Sequence, residues 1–130
     1  MTHRLRAAGI IIKDNQVLLM HRRREGREYW IIPGGGVEEG ESREQTLKRE
    51  IKEEVGMTVT ICRPVFETDE SLSHTIFFLC EVKDDQPQLG GPELQRHSPD
   101  NWYQPEWIPL DTVKSLPLYP AKAKDYILTL

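Results

Sequence analysis

The chain has 130 residues, 38% of them hydrophobic and 29% charged, with a formal net charge of −4. These proportions suit one globular domain, residues 1–130, and exclude a collagenous, low-complexity or wholly disordered chain. The acidic balance argues against wrapping duplex nucleic acid, and no apolar run approaches the roughly 20 residues that span a bilayer.

The first elements form a β-hairpin. Ala7-Ala8-Gly9-Ile10-Ile11-Ile12 and Val17-Leu18-Leu19-Met20 flank the turn-forming Lys13-Asp14-Asn15-Gln16. Both runs are continuously apolar, so both faces of the sheet should be covered. The second strand ends in His21-Arg22-Arg23-Arg24. Residues 42–55 read as a helix, with Ser42 as cap, Gln45 completing a capping box and Gly56 as the stop. Leu47, Ile51 and Val55 form its apolar stripe. A second strand pair is expected near 57–68 and 74–82. Residues 83–105 hold Pro87, Gly90, Gly91, Pro92, Pro99 and Pro105, and read as a long loop of functional weight. A short strand at 107–110 and a closing helix near 120–129 complete a mixed sheet with helices on its faces. The N-terminus lacks the apolar stretch of a secretory leader, so a cytoplasmic protein is expected, with Cys62 and Cys80 reduced and buried.

The chemistry concentrates between Pro33 and Gly56. Pro33-Gly34-Gly35-Gly36 permits unusual φ and close backbone approach just ahead of the helix. On the helix, Glu50, Glu53 and Glu54 fall within an arc of roughly 100° beside the apolar stripe. Like charges so spaced oppose one another and are partly sheltered from water. Two things could offset them: the neighbouring Lys48, Arg49 and Lys52, or a hard divalent cation, which takes carboxylate oxygens and substrate phosphates as ligands.

Gly35, five residues, Glu41, seven residues, Arg49-Glu50-Ile51, one residue, Glu53-Glu54, one residue, then Gly56-Met57: this pattern resembles the Nudix box, with no departure at a defined position. Trp30-Ile31-Ile32-Pro33-Gly34-Gly35 and Trp107-Ile108-Pro109-Leu110 are also similar to Nudix proteins. The resemblance implies the Nudix fold, an α/β (α+β) protein built as a three-layer α/β/α sandwich with a mixed sheet. It implies hydrolysis of a phosphoanhydride bond in a nucleoside di- or triphosphate, or in a nucleoside-diphosphate-linked compound, assisted by Mg²⁺ or Mn²⁺. By position, Glu50, Glu53 and Glu54 would be metal ligands, with the Gly34 carbonyl as another. Arg49 would orient the carboxylates, and Gly35, Glu38 and Glu41 would support the loop. Glu53 or Glu50 would accept the proton of the attacking water, with Glu93 in the long loop as rival. Glu67, Asp69 and Glu70 are weaker candidates.

Substrate contacts are expected from Arg22, Arg23 and Arg24, whose guanidinium forks suit phosphate. Tyr29, Trp102 and Tyr103 could stack a base, whereas Phe78 reads as core. Arg96 and His97 could add phosphate contacts. Ser73-His74-Thr75 carries neither the proline of ADP-ribose pyrophosphatases nor the tyrosine of diadenosine polyphosphate hydrolases, so the substrate class stays open. A nucleotide-sensing Nudix domain without catalysis is the alternative function. Partners are limited to a small-molecule nucleotide, with no nucleic acid duplex and no membrane, and the resemblance admits a homodimer.

Overall fold

The structure is a computed structural model that describes residues 4–70, 72–83 and 101–130. In chain order the elements are β1 (Arg4–Lys13), β2 (Gln16–Arg24), β3 (Arg27–Ile31), β4 (Gly34–Gly36), α1 (Arg43–Val55), β5 (Val59–Glu70), β6 (Ser73–Val82) and β7 (Asn101–Pro109). A 3-10 helix (Leu110–Ser115), β8 (Leu118–Tyr119) and α2 (Ala121–Ile127) follow.

The β1–β2 hairpin turns on Asp14 and Asn15, with φ of 52° and 61°. Two positive φ values in succession make the kind of turn whose twist matches antiparallel strands, and Asp and Asn tolerate it. The two strands pair with each other only beside that turn, at Ile12↔Val17 and Lys13↔Gln16. Beyond it they part. β1 runs parallel to β6 and antiparallel to β4. β2 runs antiparallel to both β3 and β7. The path among the described residues is β5-β6-β1-β2-β3-β8, with β4 added to β1 and β7 to β2. Parallel and antiparallel pairs together make the sheet mixed.

Alternation along β1 and β2 splits the apolar runs between two layers, since successive side chains point to opposite faces. Ala7, Ile11, Leu18 and Met20 meet Leu47, Ile51 and Val55 of α1, together with Ile76 and Phe78. Ala8, Ile10, Val17 and Leu19 meet Trp30, Phe77, Leu118, Val113 and the α2 residues Ala123 and Ile127. The expected α/β/α sandwich is therefore what these runs build. Ser42 caps α1 with a capping box through Gln45, and Gly56 ends it with φ 70°. No described helix is long and apolar enough to cross a membrane.

Two expectations change. The strand expected at 107–110 begins at Asn101, so Trp102 and Tyr103 lie in β7 and not in a loop. Cys62 is only half-buried, although Cys80 is buried and both are free thiols. Glu93, Arg96 and His97 lie outside the described residues.

Ile51 is fully buried between α1 and the sheet. Ile51→Ala should cost about 2–5 kcal/mol by lost transfer energy and the cavity left behind. A urea titration should show a lower midpoint at unchanged slope.

Candidate active site

The glycine run forms β4, pairing Gly36, Gly35 and Gly34 with Arg6, Ala7 and Ala8. None of the three has a positive φ; what they supply is close approach. A Cβ on Gly34 would sit 2.3 Å from the Ala7 carbonyl oxygen, and one on Gly35 would sit 2.2 Å from the Glu50 carboxyl carbon. The loop thus lies directly against both β1 and the helix.

Arg49 joins loop to helix. Its Nε donates to Glu41 Oε2 at 2.7 Å and its Nη2 to Glu41 Oε1 at 3.0 Å, a two-pronged pair. Nη2 also donates to the Gly36 carbonyl at 3.1 Å. Nη1 reaches Glu50 at 2.9 Å and Glu53 at 3.3 Å, and Glu38 stands 3.7 Å from Nη2. The same Glu41 carboxylate accepts from the Glu38 amide and from the buried Thr46 hydroxyl, each at 2.9 Å. These donors, Arg49 first, lower the Glu41 pKa from 4.5 to about 2. Hydrogen bonding to Glu41 in turn raises the Arg49 pKa, so its charge is permanent. Glu54 is buried and its Oε2 accepts from the Gly34 amide at 3.1 Å.

Among the described residues no three His, Cys, Asp or Glu side chains already converge as a metal cluster. Arg49 draws Glu50 and Glu53 to itself, and the Gly34 amide binds Glu54. The donor set nonetheless fits a hard cation, because carboxylate oxygens are what Mg²⁺ takes. One guanidinium faces four carboxylates, Glu38, Glu41, Glu50 and Glu53. The Glu53 side chain is 46% exposed and can turn without a packing cost. Only glycine at position 35 lets the Glu50 carboxylate lie this close to the loop.

Beside the carboxylates lies a cavity of about 280 Å³ lined by Gly34, Glu54, Arg6, Arg22, Arg24 and Tyr103, among others. Arg22 rests on the Tyr103 ring at 4.0 Å, lies 5.7 Å from the Tyr29 ring and donates to Asn101 at 3.2 Å. Of the arginine and aromatic residues expected at the substrate, Arg22, Arg24 and Tyr103 therefore gather here, with Tyr29 adjacent. Arg23 and Trp102 do not. They face each other at 4.8 Å, and Trp102 meets His21 edge-on at 4.9 Å. His21 stacks on Trp30, which belongs to the opposite layer from α1. Alternation along β2 explains the split: positions 22 and 24 share one face, and 21 and 23 the other. Glu67 and Asp69 grip the two ring nitrogens of His74 and lie away from this cavity's lining. Sequence reading missed Arg6 and Thr46. The polar start of β1, alternating Arg4 and Arg6, was the available signal for the first.

The NUDIX domain family matches residues 3–128. A chain from a study of MutT of the psychrophilic fish pathogen Aliivibrio salmonicida and of Vibrio cholerae is 26% identical with a TM-score of 0.76; the match covers 98% of this chain and 96% of that one. The E. coli ORF135 protein is also 26% identical, with a TM-score of 0.67 and coverage of 94% and 84%. The RNA pyrophosphohydrolase of Pseudoalteromonas translucida is 49% identical over 49 residues, 38% of this chain and 28% of that protein. That of Vibrio cholerae is 44% identical over 50 residues, 38% and 29%. The matched stretch thus spans under a third of these curated relatives. The chain belongs to the Nudix family, and MutT Nudix hydrolases are among its structural neighbours.

Glu41 generates a pH prediction. Its pKa is lower folded than unfolded, so its contribution is complete above the ordinary value of 4.5 and is lost as pH falls toward about 2. Glu41→Gln should lower the urea midpoint near neutral pH and flatten the decline of stability across that acid range. An acid limb as steep as the parent's would remove Glu41 as its source.

Proposed function

We propose that this protein is a divalent-cation-dependent pyrophosphohydrolase acting on a nucleoside di- or triphosphate, or on a nucleoside-diphosphate-linked compound. The observation that carries the reading is the cavity where Glu54 and Gly34, on the carboxylate side, meet Arg6, Arg22 and Arg24. A concave lining with a few convergent polar groups is what a ligand site offers, and these groups suit a cation on one side and phosphate on the other. A second cavity of about 240 Å³ shares Arg6, Ile31 and Ile32 with the first and continues past Phe77, Thr75, Glu70 and Tyr119. Apolar walls with a hydroxyl and a carboxylate suit a nucleobase. Phosphates would then lie by the arginines and the base beyond Arg6.

Glu50, Glu53 and Glu54 would hold Mg²⁺ or Mn²⁺, with the Gly34 carbonyl adding an oxygen. The bound cation would supply charge neutralisation at the phosphate oxygens. Arg22 and Arg24 bind and orient the phosphates, with Arg22 pre-set by its Tyr103 and Asn101 contacts. Water attacks phosphorus, the new P–O bond forms, and the bridging P–O bond breaks to release the second phosphate group. Glu53 or Glu50 accepts the proton that water gives up. Arg49 acts as a positioning residue that sets where these carboxylates stand. The RNA pyrophosphohydrolases match only 49 or 50 residues, so they support hydrolysis more than any one substrate. A 5′-triphosphorylated RNA end carries the same bond and belongs among the substrates tested.

The test is turnover of nucleoside triphosphates, nucleoside diphosphates, ADP-ribose, sugar nucleotides, dinucleoside polyphosphates and triphosphorylated RNA, with Mg²⁺, with Mn²⁺ and with chelator. Turnover that chelator abolishes is expected for one class. Nucleotide binding without cleavage of any member would replace the hydrolase with a sensor. Glu53→Gln should reduce turnover by roughly two to four orders of magnitude while thermal melting of the apoprotein is retained. Full activity in that variant would remove Glu53 from the essential set.

The two faces of β2 give a paired prediction. Arg22→Ala should lower kcat/KM roughly ten- to hundredfold through a lost charge-assisted contact. Arg23→Ala should change it by less than about threefold, because its guanidinium points to Trp102 and Glu28. Equal losses in both variants would contradict the division of faces.

A further inference from the structure

Cys62 and Cys80 lie directly opposite each other across the antiparallel β5–β6 pair. The register between Pro64↔Phe78 and Cys62↔Cys80 runs without a bulge. Pro64 has no N–H, so its pair with Phe78 is of the kind not closed by mutual hydrogen bonds. Pairs alternate along such a ladder, so two residues on, Cys62 and Cys80 are of that kind too. Those are the closer pairs, with Cα atoms about 4.5 Å apart, within the 4.4–6.8 Å that a disulfide spans. Both side chains belong to the layer under α1, Cys80 within its core and Cys62 packed against it. β5 is at the end of the strand order among the described residues, and Cys62 is half-buried, so a small solute can reach it.

We propose that Cys62 and Cys80 form an oxidation site in which a hydroperoxide closes a reversible cross-strand disulfide beneath α1. The two sulfurs have unequal roles. Hydrogen bonding from Cys80 holds the Cys62 thiol below the ordinary value, with Lys48 helping and Glu44 and burial opposing. The Cys80 thiol is raised, by that same pairing and by burial. Cys62 is the half-buried sulfur that a peroxide can reach and Cys80 is buried behind it, so Cys62 is the attacking thiolate and Cys80 the resolving partner. Cys62 sulfur attacks the peroxide O–O bond; the S–O bond forms, the O–O bond breaks, and the leaving oxygen departs as water or an alcohol. Cys62 is oxidised by two electrons to the sulfenic acid, and the peroxide is reduced. Cys80 sulfur then attacks Cys62 sulfur; the S–S bond forms, the S–O bond breaks, and hydroxide leaves with the Cys80 proton as water. A dithiol reductant reverses the closure.

The experiment treats the reduced full chain with dilute hydrogen peroxide and reads intact mass, thiol titration and a non-reducing gel. The expected product is monomeric, lighter by two hydrogens, with titratable thiols falling from two to none, and dithiothreitol restores both. Cys80→Ser should instead accumulate a sulfenic acid at Cys62 that dimedone traps, and Cys62→Ser should give neither product. The wild-type mass decides even where a variant fails to fold. Retention of both thiols, a mass gain of oxygens alone, or disulfide found only in dimers would overturn the proposal.

Discussion

The site depends on the ion pair between Arg49 and Glu41. Glu41 precedes α1 and Arg49 lies two turns into it, so their two-pronged contact fixes where the loop sits on the helix. The remaining Arg49 donors reach Gly36, Glu50 and Glu53, so loop position and carboxylate position are set by one side chain. A lysine could satisfy one of these partners but could not fork across them. The arrangement also restrains like charge. Without the guanidinium, Glu41, Glu50 and Glu53 would repel across a partly sheltered space, and the loop's hold on the helix would rest on the Gly34–Glu54 and Thr46–Glu41 bonds. Thr46 adds to this from beneath, bonding both Glu41 and the Ser42 carbonyl.

The cleft itself follows from the parting of β1 and β2. Their pairing ends two residues from the turn, after which each recruits its own neighbours. Pro33 and the glycines enter the space between, where the Gly9 amide donates to the Pro33 carbonyl at 2.9 Å. Arg6 stands on the β1 side of the resulting cavity, and Arg22 and Arg24 on the β2 side. A hairpin that stayed zipped would have carried the same residues without a space to hold a ligand.

Much of this was legible in the sequence. The α1 boundaries, its capping box, the hairpin turn and the β5–β6 pair all follow from local patterns of residues 13–82. The Nudix box located the acidic helix and its loop. Three features escaped for physical reasons. Pro105 reads as a strand breaker, yet β7 pairs only with β2 among the described residues, and proline is tolerated on such an edge. Trp102 and Tyr103 accordingly read as loop from the sequence alone. The facing of Cys62 and Cys80 depends on strand register across 18 residues, which a bulge between Pro64 and Phe66 also shifts. The grip of Glu67 and Asp69 on His74 depends on the same register. By contrast, the separation of Arg22 from Arg23 needed only period-two alternation.

That separation gives each residue of β2 a distinct mechanical role. His21 is buried, and its Nδ1 lies 2.9 Å from Glu106 of β7 while its ring stacks on Trp30 of β3 at 4.2 Å. The Trp30 indole donates to the same Glu106 carboxylate at 3.3 Å. Three strands are thus tied together on the face away from α1, at the level from which Arg22 projects on the other face. An exposed strand end bearing several arginines would otherwise fray, and its guanidiniums would sample many positions at an entropic cost to any phosphate that gathered them. With His21, Trp30 and Glu106 holding the backbone, Arg22 needs only Tyr103 and Asn101 to fix its side chain. The backbone position on the basic side of the cleft is therefore set by residues that never face it, and the Arg22 side chain by Tyr103, which does.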